Sequence, residues 1–247
     1  MVGLLSDIGN SRKINEDYLG YHEDIEKKVY MVADGMGGHN AGEVASKIAV
    51  ESTIEYINSI ISIENLETVL TEAIEYSNKK VYEFSKTNSS LNGMGTTITA
   101  CLLRNNKMSV GNVGDSRCYV IGKAGMYQIT KDHSLVQELV DNGTITAEEA
   151  AVHPNKNIIT RALGTAPKVD IDIYTIDLKE INKVIVCTDG LSNSLSDLEM
   201  YQAIVGNTNT DACKQLIRIA KQKGGRDNIT VIIFEGECEN DWDFAGK

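Results

Sequence analysis

Residues 29–38 of the 247-residue chain read VYMVADGMGG. The first five residues form a short apolar run, which predicts a buried strand. Asp34 follows this run, and the glycines after it allow the backbone to approach a bound group closely. We therefore expect a strand that delivers a carboxylate into a loop at its end. Taken alone, an Asp-Gly pair after a strand is more often a simple turn.

Three more acidic residues lie at the ends of predicted strands. Asp189 follows the apolar run 184–188, Asp115 follows a β-prone run, and Asp227 comes just before the run 229–234. If these carboxylates converge on one edge of a sheet sandwich, they need cations to stay ionised together. Oxygen ligands without His or Cys suit Mg²⁺ or Mn²⁺. The alternative is four independent surface turns, which composition does not exclude.

The remaining elements follow from the hydrophobic period on either side of this segment. Apolar residues recur every three to four positions from Glu43 and again over 66–81, which predicts two consecutive amphipathic helices. Strands over 96–103, 107–113 and 117–121 are separated by short polar turns, which indicates an antiparallel meander. Further strands are predicted at 3–8, 18–22, 184–188 and 229–234. Further helices are predicted at 135–141 and 211–221. Two more helices should begin at the capping boxes formed by Thr146 with Glu149 and by Ser196 with Glu199. Strands interrupted by helix pairs favour an α+β architecture with antiparallel sheets inside and helices outside.

Length and composition limit the classes of protein. A hydrophobic content of 42% allows one substantial core, so we expect a single domain over 1–236 and a polar tail over 237–247. The net charge of −11 argues against nucleic-acid binding, which needs a basic face. No run approaches the roughly 18 apolar residues of a membrane span, and no secretory h-region is present. We therefore expect a cytoplasmic protein, and a monomer because no heptad or apolar edge indicates an interface.

The cysteines lack the spacing of a metal site or a disulfide framework. There are five, an odd number, with no CxxC pair, and most lie in apolar runs: Cys101, Cys118, Cys187, Cys213 and Cys238. This pattern predicts reduced, buried side chains and argues against a zinc or redox site.

Seven short motifs, taken together, carry a resemblance to a known family. They are Arg12 with Asn15, Glu16 and Asp17; residues 32–39, which read VADGMGGH; 94–97, MGTT; 112–117, NVGDSR; Thr130 with Asp132, His133 and Ser134; 188–191, TDGL; and 227–230, DNIT. In this order they closely resemble the type 2C (PPM) metal-dependent serine/threonine protein phosphatases, most of all the bacterial single-domain members. The resemblance runs from about Gly3 to Phe234.

The resemblance implies a fold and a metal site. The fold is a four-layer α/β/β/α sandwich with two Mn²⁺ or Mg²⁺ ions in a cleft at one end of the sheets. Asp34 would bridge both ions, the Gly35 carbonyl would bind the first, and Asp189 and Asp227 would bind the second. Asp115, together with Asp189, matches the residues that hold a third, weaker ion in bacterial relatives.

The resemblance also implies a reaction and the residues that support it. A metal-bridged hydroxide would attack the phosphorus of phosphoserine or phosphothreonine directly. Arg12 would grip the phosphate, and Glu16 and Asp17 would support the metals. The eukaryotic pattern has His where Met36 stands, so the general acid is either His39 or a water on a third metal.

Two histidines, His133 and His153, are candidates for metal binding or substrate binding. His133 belongs to no zinc-type cluster, and the family places it outside the metal shell. His153 lies within 143–164, which matches the variable flap beside the active site, so we expect it to contribute to substrate choice.

Three alternatives to a working protein phosphatase differ from it in what they require of the sequence. A non-catalytic signalling module should have lost metal ligands, yet Asp34, Asp189 and Asp227 are all present. A Ca²⁺-binding domain would need an EF-hand-like loop, of which there is no trace. A phosphatase for small phosphoesters stays open on sequence alone. The expected partners are phosphorylated proteins and an opposing eukaryotic-like Ser/Thr kinase.

Overall fold

The computed structural model describes residues 2–38 and 41–236. The predictions for His39, for Cys238 and for the polar tail over 237–247 fall outside these residues.

Two antiparallel sheets form the centre of the molecule. The first contains, in spatial order, β1 (Gly3–Asp7), β11 (Ile229–Glu235), β10 (Ile181–Cys187), β7 (Arg117–Gly122) and β8 (Gly125–Gln128). The second contains β2 (Asp17–Glu23), β3 (Lys28–Met36), β5 (Ile98–Arg104), β6 (Lys107–Val113) and β9 (Asp172–Asp177), with the short β4 (Gly95–Thr96) paired to the end of β3.

Helices cover the outer face of each sheet. Helices α1 (Ala41–Ser59) and α2 (Leu66–Ser85) pack on the second sheet, and α6 (Asp197–Ile204) and α7 (Asn209–Gln222) pack on the first. The shorter α3 (Leu135–Asp141), α4 (Ala147–Ala151) and α5 (Asp189–Ser192) lie in the connections. These layers confirm the predicted α/β/β/α sandwich.

Burial on both faces explains why residues 29–33 of β3 form a continuous apolar run. Val29, Met31 and Ala33 pack against the helices, whereas Tyr30 and Val32 face the other sheet. The Tyr30 ring stacks on Phe234 with 4.0 Å between ring centroids. A strand buried on both faces needs a continuous apolar run instead of an alternating one.

Helix α7 shows the periodic pattern most clearly. Its N-cap Thr208 accepts a hydrogen bond from the backbone N–H of Asp211, which satisfies a free donor of the first turn. One stripe of the helix is buried against the first sheet, namely Ala212, Cys213, Leu216, Ile217 and Ala220. The helix therefore forms where the period predicted it. Both capping boxes, at α4 and α6, are also present.

The predicted meander over 96–121 is wrong for its third strand. Strands β5 and β6 do form a hairpin, and Asn105 and Asn106 take positive φ angles of 52° and 60° in its turn. Strand β7 instead crosses to the other sheet and pairs with β10. Gly114, with φ 108°, begins the loop that makes this crossing.

The expectation that Asp34 enters a loop is also wrong. Strand β3 continues through Met36, because Gly35 pairs with Thr96 and Met36 pairs with Gly95. Strands β8 and β9 and helix α5 were not predicted. Strand β9 lies at the edge of its sheet and is only partly buried, so its sequence shows little hydrophobic pattern.

Two further expectations concern composition. Cys101, Cys118, Cys187 and Cys213 are buried free thiols, as predicted. Among residues 2–38 and 41–236, no helix is long and apolar enough to cross a membrane.

Candidate active site

The predicted carboxylates line one cavity at the end of the two sheets. Asp34 comes from β3, Asp115 from the loop between β6 and β7, Asp189 from the first residue of α5, and Asp227 from the loop before β11. The cavity has a volume of about 240 Å³, and Arg12, Glu16, Gly35 and Met36 also line it. Four carboxylates from distant parts of the chain therefore meet in one place, and they are not four separate surface turns.

Burial and mutual repulsion raise the pKa values of three of these carboxyl groups. Burial, together with the charges of Asp17 and Asp189, raises the pKa of Asp34 well above its ordinary value. Burial and the charge of Asp189 likewise raise the pKa of Asp115 to about 8. Burial and the charge of Asp227 raise the pKa of Asp189. Such clustered charge is stable in the ionised form only when cations compensate it.

The donor atoms suit hard divalent cations. Within the described ranges, the Oδ1 atoms of Asp17 and Asp189 are buried without a hydrogen-bond partner. The polar side chains lining the cavity offer carboxylate and hydroxyl oxygens, and no imidazole or thiolate among the residues described there. This is the ligand chemistry of Mg²⁺ or Mn²⁺. In the same part of the chain, no three His, Cys, Asp or Glu side chains form a ready-made coordination cage, so the fit rests on the donor set.

Asp17 lies behind the cavity and does not line it. The Thr188 hydroxyl donates to Asp17 Oδ2 at 2.8 Å, and the Thr230 backbone N–H donates to Thr188 Oγ1 at 3.0 Å. Asp17 is also the register partner of Asp34 between β2 and β3. Burial raises the pKa of Asp17 to about 7, against the hydrogen bonds from Thr230 and Thr188. This position fits the predicted supporting role.

Two hydroxyl groups connect Asp34 to the Asp115 loop. The Asp34 backbone N–H donates to Thr97 Oγ1 at 2.9 Å, and Thr97 Oγ1 lies 2.8 Å from Ser116 Oγ. Both hydroxyls are buried. Asp34 on β3 and Asp115 in the loop between β6 and β7 are thereby held in a fixed relation. Thr97 lies in the motif 94–97 and Ser116 in 112–117, but neither was predicted as a site residue.

Asn228 is a third residue that was not predicted as a site residue. Its Oδ1 accepts a hydrogen bond from the Glu16 backbone N–H at 2.9 Å, and its Nδ2 donates to the carbonyls of Ile8 and Ile14 at 3.0 Å each. Its backbone also lies so close to Gly190 that a side chain there would overlap it. Asn228 thus joins the N-terminal segment to the two segments that carry Asp189 and Asp227. Its adjacency to Asp227 in the motif was the available signal.

Arg12 lies at the mouth of the cavity with its side chain 48% exposed. Its Nε and one terminal nitrogen each donate to an Asp227 carboxylate oxygen at 2.9 Å. The structure therefore joins the predicted phosphate-binding residue to a predicted metal ligand. Glu16 lies beside it, and burial raises its pKa. The Gly35 backbone N–H donates to the Glu16 carbonyl at 3.1 Å, which holds Gly35 against the cavity.

The two histidines lie outside this cavity. His133 Nδ1 accepts a hydrogen bond from the Gly114 backbone N–H at 3.0 Å, and its Nε2 lies 3.2 Å from Asp172. His153 Nδ1 accepts from the Asn155 backbone N–H at 3.1 Å, which stabilises the turn after α4. The part proposed for His153 in substrate choice stays a prediction.

A match to the model of the protein phosphatase 2C family extends over residues 10–226. The chain belongs to the protein phosphatase 2C family. Membership makes it a protein serine/threonine phosphatase of this type, as the motifs predicted.

Relatives and solved structures agree with this membership. The serine/threonine phosphatase stp of Listeria innocua is 38% identical, with 93% of each chain covered. The crystal structure of the serine/threonine phosphatase Stp1 from Staphylococcus aureus superposes with a TM-score of 0.90 at 35% identity, covering 95% of this chain and 94% of that one. The catalytic domain of the phosphatase PstP, solved in complex with two manganese ions, superposes with a TM-score of 0.83 at 33% identity, covering 94% and 96%.

Proposed function

We propose that this phosphatase hydrolyses phosphoserine and phosphothreonine side chains of proteins at the cavity described above, with two Mn²⁺ or Mg²⁺ ions as cofactors. Asp34 and the Gly35 carbonyl would hold the first ion, and Asp34, Asp189 and Asp227 the second. The observation that carries the proposal is the convergence of these carboxylates in one cavity, where burial and neighbouring charges raise the pKa values of Asp34 and Asp189. Two such ions, when bound, lower the pKa of water and neutralise charge on a phosphoryl group.

Arg12 is suited to orient the phosphoryl group. A guanidinium has five N–H donors in a planar fork, and the Asp227 carboxylate takes two of them. The remaining donors are free to bind phosphate oxygens at the mouth of the cavity. The ion pair with Asp227 thus fixes the arginine at the place where the substrate enters.

Direct hydrolysis without a phosphoenzyme fits the side chains around the cavity. Thr97 is the one residue with a hydroxyl side chain among the described residues that line it. Its Oγ1 accepts a hydrogen bond from the Asp34 backbone N–H and shares another with Ser116 Oγ. A hydroxyl held in this way is not placed to attack phosphorus, so water is the expected nucleophile.

Asp115 is suited to hold a third ion together with Asp189. Both residues line the main cavity, and both also line a neighbouring cavity of about 270 Å³ beneath α3 and α4. A cation between them would lie beside the first two ions and would offset the raised pKa of Asp115.

We also propose the substrates of the enzyme, the kinase that opposes it, its location and its oligomeric state. The substrates would be proteins phosphorylated by a eukaryotic-like Ser/Thr kinase, and the enzyme would act as a cytoplasmic monomer. Direct binding to that kinase is not required, because the two activities oppose each other through the shared phosphoproteins.

The first test compares hydrolysis of p-nitrophenyl phosphate and of a phosphothreonine peptide with Mn²⁺, with Mg²⁺ and with EDTA. We expect metal-dependent turnover that EDTA abolishes. Asp34→Ala should lower kcat by about a thousandfold or more, equivalent to roughly 4 kcal/mol of transition-state stabilisation. Glu75→Gln, an exposed change on α2, is the matched control and should keep full activity. A preference of about a hundredfold for small phosphoesters would contradict the substrate assignment.

The second test separates Asp115 from the two-metal core. Asp115→Ala should lower kcat by about 10- to 100-fold while two manganese ions still bind. Binding is measured by isothermal titration. Loss of metal binding as complete as in Asp34→Ala would contradict the separate roles.

A further inference from the structure

A second cavity adjoins the candidate active site along the edge formed by Asp189 and Asp227. Its volume is about 510 Å³. Three cations line it, Lys156 from the segment after α4, Lys223 from the end of α7 and Arg226 from the loop before β11. Asn157 lines both cavities, so the two are continuous. We call this cavity, with Lys156, Lys223 and Arg226, the basic groove.

The basic groove contrasts with the charge of the whole protein. The chain carries a net charge of −11, yet three separate segments place a cation beside the same cavity. Converging like charges repel one another, and Asp189 and Asp227, which line the same cavity on the side of the candidate active site, compensate this repulsion only in part. Glu199 compensates one of the three cations, because Lys223 Nζ lies 2.6 Å from its carboxylate.

The other two cations are available to a ligand. Within residues 2–38 and 41–236, neither the Lys156 ammonium nor the Arg226 guanidinium makes a hydrogen bond or an ion pair. Arg226 is exposed and Lys156 is partly buried. A guanidinium binds a carboxylate or a phosphate through two parallel hydrogen bonds, and an ammonium adds a point charge.

The backbone that carries Arg226 is held firmly. The Gly225 carbonyl accepts a hydrogen bond from the Asn10 backbone N–H at 2.7 Å. The Asn10 side chain donates to the carbonyls of Lys221 and Gly224 at 2.9 Å and 3.1 Å. Arg226 also directly precedes Asp227, so its position relative to the candidate metal ligands is set by the covalent chain.

We propose that the basic groove binds an acidic side chain, a carboxylate or a second phosphate, that flanks the phosphorylated residue of the protein substrate. This inference rests on the proposed function, because it names the substrates that the same site prefers. An extended peptide advances about 3.3 Å per residue, so the groove beside Asp227 corresponds to positions within about three residues of the phosphoresidue. Arg226 and Lys156 are then specificity-determining residues.

The test uses phosphothreonine peptides that differ at one position within about three residues of the phosphothreonine. Each position carries Glu, Ala, Lys or a non-hydrolysable phosphonate analogue of phosphoserine, and kcat/KM is measured with Mn²⁺. For at least one position, we expect the wild-type enzyme to favour Glu over Lys by about three- to tenfold. A larger gain from the phosphonate would identify a second phosphate as the natural ligand, and an equal gain would identify a carboxylate.

Variants assign this preference to the groove. Arg226→Glu should abolish or reverse the ratio of kcat/KM between the Glu and Lys peptides, and Lys156→Glu should reduce it. Lys47→Glu is the matched control, because it changes the net charge equally at an exposed position on α1. Arg226→Gln, checked for folding by circular dichroism, should lose the preference without reversal and guards against an artefact of the introduced charge.

The outcomes distinguish this inference from the proposed function. If the wild-type enzyme hydrolyses no phosphopeptide, the proposed function fails. If it hydrolyses the peptides without preferring acidic ones, or if Arg226→Glu keeps the ratio seen with Lys47→Glu, the inference alone is wrong.

Discussion

At the scale of single residues, two of the central carboxylates accept hydrogen bonds from neutral side chains. The Thr188 hydroxyl donates to Asp17, and the Asn193 amide donates to Asp189 at 2.9 Å. Such partners orient a carboxylate but do not compensate its charge. The partly buried cation Arg117 is engaged elsewhere, because its guanidinium donates hydrogen bonds of 2.7 Å to 3.1 Å to Asp132. Arg12 compensates Asp227, and the rest of the negative charge of the site is left for bound cations.

A single hydrogen bond, accepted by the Nδ1 atom of His133, defines the role of this residue. Its Nδ1 accepts a hydrogen bond from the Gly114 N–H, so the Nε2 atom carries the proton of the neutral ring and faces Asp172. Burial lowers the pKa of His133, which favours this neutral form. Gly114 precedes Asp115, so the ring supports the loop that carries a candidate metal ligand.

The first prediction tests this support. His133→Phe keeps the ring volume but leaves the buried Gly114 N–H without an acceptor, so it should lower the free energy of unfolding by about 1–3 kcal/mol. Urea denaturation measures the change. His22→Phe, at a partly exposed position on β2, should stay within about 0.5 kcal/mol of the wild type. Equal stability of the two variants would show that the Gly114 contact is unimportant.

Pairs of residues join elements that are far apart in the chain. Lys221 Nζ, near the end of α7, lies 2.8 Å from Asp7 at the end of β1. Burial raises the pKa of Asp7, but the hydrogen bonds from Lys221 and the Gly9 N–H outweigh it and lower the pKa below its ordinary value of 3.8. A carboxyl group with a lowered pKa stabilises the fold above its unfolded pKa, and this contribution is lost as the pH falls through the folded pKa.

The second prediction follows from that sign. Asp7→Asn keeps an acceptor for the Gly9 N–H but removes the charge that faces Lys221. It should lower the free energy of unfolding at pH 7 by up to about 1 kcal/mol, because the pair is partly exposed. The difference from the wild type should shrink as the pH falls below about 4. A difference that is equally large at pH 7 and at pH 3 would show that charge is not its cause.

The pairing of whole strands also belongs to the scale of elements. The period of the sequence predicted β5, β6 and β7, and the Asn105-Asn106 turn predicted the hairpin between the first two. Nothing local distinguished a third hairpin strand from one that crosses to the opposite sheet. That choice depends on β10, which lies about 60 residues further along the chain and offers β7 a partner.

The balance of charge is a property of the whole molecule. Its net charge is −11, and several of its carboxylates are concentrated in one cavity. Folding brings these like charges together, which opposes the folded state. A cation that binds the folded chain alone stabilises it by mass action.

The third prediction is a shift in thermal stability. At a Mn²⁺ concentration about a hundred times the Kd, the gain is about 2.7 kcal/mol, which raises the Tm by about 5–10 °C for a chain of this size. EDTA should reverse the shift, as measured by differential scanning calorimetry. Glu75→Gln should show the full shift and Asp34→Ala little of it. A shift of the same size in Asp34→Ala would place the metal elsewhere.

The set of seven motifs and the order of the helices and strands, apart from β8, β9 and α5, could be predicted from the chain alone. Hydrophobic period and capping residues act over a few neighbouring positions, so they can be recognised without the fold. The motifs led to the family and to Asp34, Asp115, Asp189 and Asp227, which the structure then brought into one cavity.

Tertiary structure alone decided how these parts meet. It extended β3 through Asp34, paired Arg12 with Asp227, and revealed Asn228 as the residue that joins the N-terminal segment to the site. It also brought Lys156 and Arg226 to one groove. Each of these contacts joins groups whose approach depends on the packing of both sheets, and no local pattern of residues encodes that packing.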